Sequence, residues 1–181
     1  MRLRRVFSGV NLQSDDFTLF GLEQRYAQDR TQIDARWKDL QRQAHPDKFA
    51  DQGAAAQRIA MQWSVRINEA YQRLKDPLKR AAYLCELHGA PVNAENNTAM
   101  PAAFLMQQMQ WREELDEAKG AEDLEKISQQ VAKAKRDMLQ NIERLIDHQQ
   151  AFADAVGQVR ALMFIERFAD DVDKRLDLID N

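Results

Sequence analysis

The chain has 181 residues, enough for one large domain or two small ones with a real core, and a formal net charge of −3 from 26 Lys and Arg against 29 Asp and Glu. That balance excludes a broadly basic nucleic-acid binder, and apolar runs that are all short and broken by charge exclude a membrane span. The single cysteine, Cys85, permits no disulfide within the chain and no paired-cysteine metal knuckle, which fits a reducing compartment such as the cytoplasm.

Met1 to Gly9 carries Arg2, Arg4 and Arg5 without an acid. This faintly resembles the start of a transit peptide, but the stretch is brief and lacks a long apolar or Ser-rich run. A flexible arm over residues 1–14, with no assigned function, is expected. With 6 Gly, 4 Pro and no sustained alternation of apolar and polar residues, the fold is expected to be all-α. Asp15 to Leu22 predicts a short helix through Phe17, Leu19, Phe20 and Leu22. A second begins near Thr31 or Gln32, with Ile33, Trp37, Leu40 and Ala44 on one face. His45, Pro46 and Asp47 then interrupt it, because proline cannot continue a helix and moves the residue before it out of the α region. A loop from His45 to Gly53 leads into a third helix, with Ile59, Trp63, Ile67, Ala70 and Leu74 inward, and the two stripes can pack as an antiparallel pair.

Asp76 followed by Pro77 is an N-cap with proline at the first helical position, and His88 followed by Gly89 makes a good C-terminus, so a fourth helix spans Asp76 to His88. The polar stretch after it, with Pro91 and three Asn, is the expected boundary, giving domains at 15–89 and 99–181 with a linker at 90–98. Pro101 opens a helix that Gly120 stops. Another follows from about Ala121 to Asp147, with Leu124, Ile127, Val131, Met138, Ile142 and Leu145 inward. The last runs from about Gln150 to Ile179, with Leu162, Ile165, Ala169, Val172, Leu176 and Ile179 along its stripe. Short connections make these three an antiparallel bundle.

The helix from Pro101 does not put all its apolar residues on one face. At about 100° per residue, Phe104, Trp111, Leu115 and Ala118 cluster as core, while Leu105, Met106 and Met109 fall on the far side with Glu113 and Glu117. An apolar cluster edged by acids suits a partner-binding surface, and methionines add adaptability. Spacing alone is equally compatible with a wide buried sector or packing against the N-terminal domain. Phe164, beside the main stripe of the last helix, could extend the patch, although its spacing favours core.

His45 and Asp47 present an imidazole and a carboxylate on a stiff turn, and as acid, base or ligands they would need company from Cys85 and His88. Cys85 sits among Ala81, Ala82 and Leu84 as a small core residue would. His88 stands at a helix end, and His148 reads as solvated surface. The absence of a glycine-rich phosphate loop argues against direct ATP binding. Docking, not catalysis, is the expectation, with no metal and no cofactor.

A short apolar helix, a basic helix ending at His45-Pro46-Asp47, a loop, an antiparallel third helix and a short fourth together resemble a J-domain over residues 15–88. The likeness extends further. Arg36-Trp37-Lys38-Asp39-Leu40-Gln41-Arg42-Gln43 running into His45-Pro46-Asp47-Lys48-Phe49, then Phe104-Leu105-Met106 and Arg112-Glu113-Glu114-Leu115-Asp116-Glu117, resemble the HscB family, the J-type co-chaperones of iron-sulfur cluster assembly, from about Asp16 to the C-terminus. The resemblance implies an L-shaped all-α protein, a J-domain plus a three-helix client-binding bundle, acting as a monomer. The implied partners are a DnaK-type chaperone ATPase, HscA, and the cluster scaffold protein IscU.

By matching position the resemblance assigns His45, Pro46 and Asp47, with Arg36, Arg42 and Lys48 as complementary charge, to docking on the ATPase and stimulating its hydrolysis. It assigns Leu105, Met106, Met109, Glu113, Glu117 and Phe164 to holding the scaffold. Gln110 stands where that pattern often has an acid, Met109 where leucine is common, and Ala44 where an aromatic often precedes the tripeptide. The N-terminal cysteine pairs of eukaryotic members are absent, favouring a bacterial cytoplasmic protein over a mitochondrial one. A J-domain protein with a different client, or a His/Asp metal-dependent enzyme, are the alternatives.

Overall fold

The computed structural model describes residues 9–95 and 98–179, so Arg2, Arg4 and Arg5 of the expected N-terminal arm lie outside the described residues. Helices follow one another as α1 (Asp16–Phe20), α2 (Arg30–Ala44), a 3-10 helix (Pro46–Gln52), α3 (Ala54–Lys75), α4 (Pro77–Leu87), α5 (Ala102–Glu117), α6 (Ala121–Glu143), a π turn (Arg144–His148) and α7 (Phe152–Ile179), with no strand among the described residues. Two compact units divide between Arg80 and Ala81.

In the first unit, the Asp15 carboxylate caps α1 by accepting from the Thr18 amide at 3.0 Å. The helix stops two residues earlier than its apolar residues suggest because Gly21 adopts φ 61°, a left-handed cap open to glycine at no steric cost, and the Leu22 amide closes back on the Phe17 carbonyl at 2.9 Å. Phe17, Leu19 and Phe20 are buried. Asp16 is buried too, and both Arg73 nitrogens (2.6 and 2.8 Å) and Arg66 (2.7 Å) converge on it. Arg66 also donates to the carbonyls of Leu12 and Ser14 (3.0 and 2.7 Å), tying the entering chain to α3. Replacing Asp16 with Ala would leave two guanidinium groups without their shared anion, so urea unfolding should show a loss of about 3–5 kcal/mol. A loss below about 1 kcal/mol would show that the carboxylate is not what fastens α1.

A ladder of side chains runs along the α2–α3 pair: Arg30 reaches the Lys75 carbonyl, Tyr71 donates to Asp34, Trp37 and Gln41 donate to Asn68, and Ser64 donates to the Ala44 carbonyl. Partner numbers fall as α2 is climbed, which makes the pair antiparallel. Trp37 is half-buried and stacks on Tyr71 with centroids 4.7 Å apart. Ile33 and Ala44 of α2 are buried, as are Trp63, Ile67, Ala70 and Leu74 of α3. Ile59, expected to face inward with them, is 47% exposed. It lies at the edge of the apolar sector near the start of α3, where Ala60 is the residue turned inward.

The second unit begins within α4, whose start is capped by Asp76 accepting from the Lys79 amide at 3.0 Å. Cys85 is buried, with its thiol 3.9 Å from the Phe152 carbonyl, and burial pushes that thiol up to about 11. A thiol so raised stays protonated at neutral pH and is a poor nucleophile or ligand. The connecting segment is fastened by Arg160, which donates to the Val92 and Ala99 carbonyls at 2.9 and 3.2 Å. The bundle core joins Phe104 and Trp111 of α5, Ile127 and Val131 of α6, and Ala161, Ile165, Phe168 and Val172 of α7.

α6 ends in a π turn that brings both Leu145 and Ile146 inward. Arg175 of α7 closes the end of α5 by donating to the Leu115 carbonyl at 2.6 Å, leaving Ala118 extended. Ile179, expected on the inner stripe of α7, is 47% exposed, because the stripe loses its packing neighbours beyond the half-buried Leu176.

Candidate partner-binding surfaces

His45 ends α2 with φ −60° and ψ 126°, the extended conformation that a following proline demands. The stretch after it, expected as an open loop, coils instead into the 3-10 helix, because Pro46 is pre-set for a first helical position and His45 serves as its cap. The Lys48 amide donates to the His45 carbonyl at 3.0 Å, and the Asp47 amide donates to His45 Nδ1 at 3.3 Å. Phe49 is buried and pins the turn from below. What remains outward is polar: the Asp47 side chain is 91% exposed and that of His45 57%, 3.6 Å apart at their closest charged atoms. Arg36, Arg42 and Lys48 are also exposed, with Arg42 only 3.5 Å from Asp39. Among the described residues no group of three or more His, Cys, Asp or Glu is placed to hold a metal ion. A lone imidazole and carboxylate facing solvent lack the water-excluded setting that acid-base chemistry needs. They suit contact with another molecule's surface.

The second surface lies on α5. Phe104 and Trp111 are buried, whereas Met106 and Met109 are 74% and 72% exposed and Leu105 is 44% exposed. Glu113 and Glu117 are exposed beside them. The split follows from helical geometry, since a sector 100° or more from the core stripe must meet either solvent or a partner. Phe164 of α7 is half-buried, edge-on to Phe104 at 5.8 Å and stacked on Phe168 at 5.8 Å. It belongs both to the bundle core and to its surface. Sequence spacing did not single out two contributors: Phe168, stacked on Trp111 at 5.7 Å, and Arg112, whose guanidinium lies 5.4 Å from the centre of the Phe164 ring. Phe168 is legible as the position four residues after Phe164. Arg112 is not, because nothing local tells which ring a surface arginine will cover.

The fold and the tripeptide together define a class, J-domain proteins carrying a C-terminal helical bundle. Residues 100–173 match the family model described as the HSCB C-terminal oligomerisation domain. The chain is 45% identical over 173 residues to the Co-chaperone protein HscB homolog of Burkholderia cenocepacia, covering 94% of this chain and 99% of that one. Against the homolog of the same name from Cupriavidus taiwanensis it is 44% identical over 176 residues, covering 96% and 99%. The solved structure of Chaperone HscB from Vibrio cholerae superposes with a TM-score of 0.79 at 32% identity, covering 92% of this chain and 99% of that one. The chain belongs to the HscB family of co-chaperones.

Proposed function

We propose that this chain docks through His45, Pro46 and Asp47 on a DnaK/HscA-type chaperone ATPase, stimulates its ATP hydrolysis, and delivers an IscU-type iron-sulfur scaffold protein for cluster transfer. The carrying observation is the outward set Leu105, Met106 and Met109, left exposed by a helix whose opposite face already fills the core. Large apolar side chains grouped on one exposed face are a docking surface more often than an accident. Membership of the HscB family supports the choice of partners, and the exposed tripeptide supports the ATPase contact. Arg36, Arg42 and Lys48 supply positive charge for a complementary acidic surface. The active form is proposed to be a monomer in the bacterial cytoplasm, although the matched family model is described as an oligomerisation domain.

ATPase turnover measured with this chain alone, with the scaffold alone and with both tests the reading. The pair should stimulate more than either alone, and no stimulation by this chain would refute it. Steering by Arg36 and Arg42 adds a kinetic expectation. Raising salt from about 0.05 to 0.5 M shortens the screening length to a few ångströms, so the association rate with the ATPase should fall at least several-fold. A salt-insensitive rate would remove steering from the account.

A further inference from the structure

The methionines among the described residues differ widely in exposure. Met100 and Met138 pack against the bundle core, and Met163 is half-buried on α7. Met61, on α3 of the first unit, is 55% exposed, whereas Met106 and Met109 reach 74% and 72%. The two most exposed thioethers therefore share α5, three residues and about 60° apart, so their side chains are neighbours on one face. The remaining sulfur, the Cys85 thiol, is buried and pushed up to about 11, which hides it from a dissolved oxidant and keeps it in its unreactive form. An oxidant arriving from solvent thus meets sulfur most openly at Met106 and Met109.

A thioether reacts with hydrogen peroxide through a sulfur lone pair. The O–O bond breaks, one oxygen stays on sulfur as the sulfoxide, and the other leaves as water with both peroxide protons. Sulfur is oxidised by two electrons and the peroxide is reduced by two. The flexible apolar side chain now carries a strong hydrogen-bond acceptor. On an exposed helix face this costs the folded chain little, because water solvates the new oxygen. In a dry contact the same oxygen gives up its water without gaining a donor, and the contact weakens. We propose that Met106 and Met109 are a reversible oxidation site, through which hydrogen peroxide or a similar two-electron oxygen donor releases the protein held on α5. The inference rests on the reading that α5 holds the scaffold.

The test is to treat the full chain with hydrogen peroxide, remove the oxidant, locate the added oxygen by peptide mass spectrometry, and titrate in an untreated IscU-type scaffold by calorimetry. Met106 and Met109 should gain oxygen ahead of Met100, Met138 and Met163, and the oxidised chain should bind about tenfold or more weakly than its untreated sample. Methionine sulfoxide reductases of both stereospecificities should restore the affinity. Met106→Leu/Met109→Leu, compared with its own untreated sample, should change by less than about threefold. Unchanged affinity once both sulfurs carry oxygen, a loss that the reductases do not reverse, or an equal loss in M106L/M109L would each overturn the proposal. Leu105→Ala/Met106→Ala separates this failure from failure of the parent reading. If that variant loses binding while the oxidised chain does not, only the oxidation site falls. If it binds as the unaltered chain does, or if the untreated chain does not bind, the scaffold reading falls and takes this one with it.

Discussion

Replacing Asp47 with Asn is expected to return the partner ATPase to its basal turnover while leaving helical content and melting temperature unchanged. The side chain is 91% exposed, so it contributes almost nothing to burial. The groups that shape the turn are elsewhere: the His45 carbonyl accepting from Lys48, the proline ring, and buried Phe49. Asparagine preserves size and the backbone amide that donates to His45 Nδ1 at 3.3 Å. Only the negative charge goes. In a docked complex that charge would be desolvated against a cation of the ATPase, and truncating one member of such a pair costs about 2–5 kcal/mol, a 30- to several-thousand-fold weakening. Stimulation retained at saturating concentrations of the variant would refute the docking role. Loss accompanied by a lowered melting temperature would instead assign Asp47 to the turn's own stability.

Most of the fold is legible in the chain because its signals are local. Asp15 and Asp76 cap helices as their residue types suggest, and Pro46 and Pro77 sit where proline is tolerated. The errors fall where tertiary packing decides. Ile59 and Ile179 fit their stripes by spacing, yet among the described residues each is only about half covered. Periodicity specifies a direction around the helix and says nothing about whether anything is there to pack against. The 3-10 helix after His45 and the π turn at Arg144–His148 are also beyond periodicity, because each departs from 3.6 residues per turn.

The candidate sites divide in the same way. His45, Pro46 and Asp47 are visible as a motif, and their exposure follows from the break they impose. The placement of Leu105, Met106 and Met109 opposite Phe104 and Trp111 is geometry readable from one helix. The position of Phe164 is not, since joining it to Phe104 and placing Arg112 over its ring requires knowing how α7 lies on α5.

Converting Leu105, Met106 and Phe164 to Ala together should weaken scaffold binding by about 10³-fold or more while leaving stimulation of the ATPase by this chain alone intact. Each exposed apolar side chain, once buried by a partner, contributes on the order of 1.5–3 kcal/mol. Hot-spot losses are not additive, so about 4–6 kcal/mol in all is a fair expectation. The three positions differ in one respect that the experiment must respect. Phe164 is half-buried against Phe104 and Phe168, so Phe164→Ala alone should also lower stability, by on the order of 1–2 kcal/mol, less than the 3–5 typical of a fully buried ring. Met106 is 74% exposed, and its truncation should leave the melting temperature nearly unmoved. Leu105→Ala/Met106→Ala thus separates lost contact from lost packing. If this pair loses affinity with the fold intact, the outward sector of α5 is the binding face. Unchanged affinity in the triple variant would leave those side chains without a partner and reject the assignment.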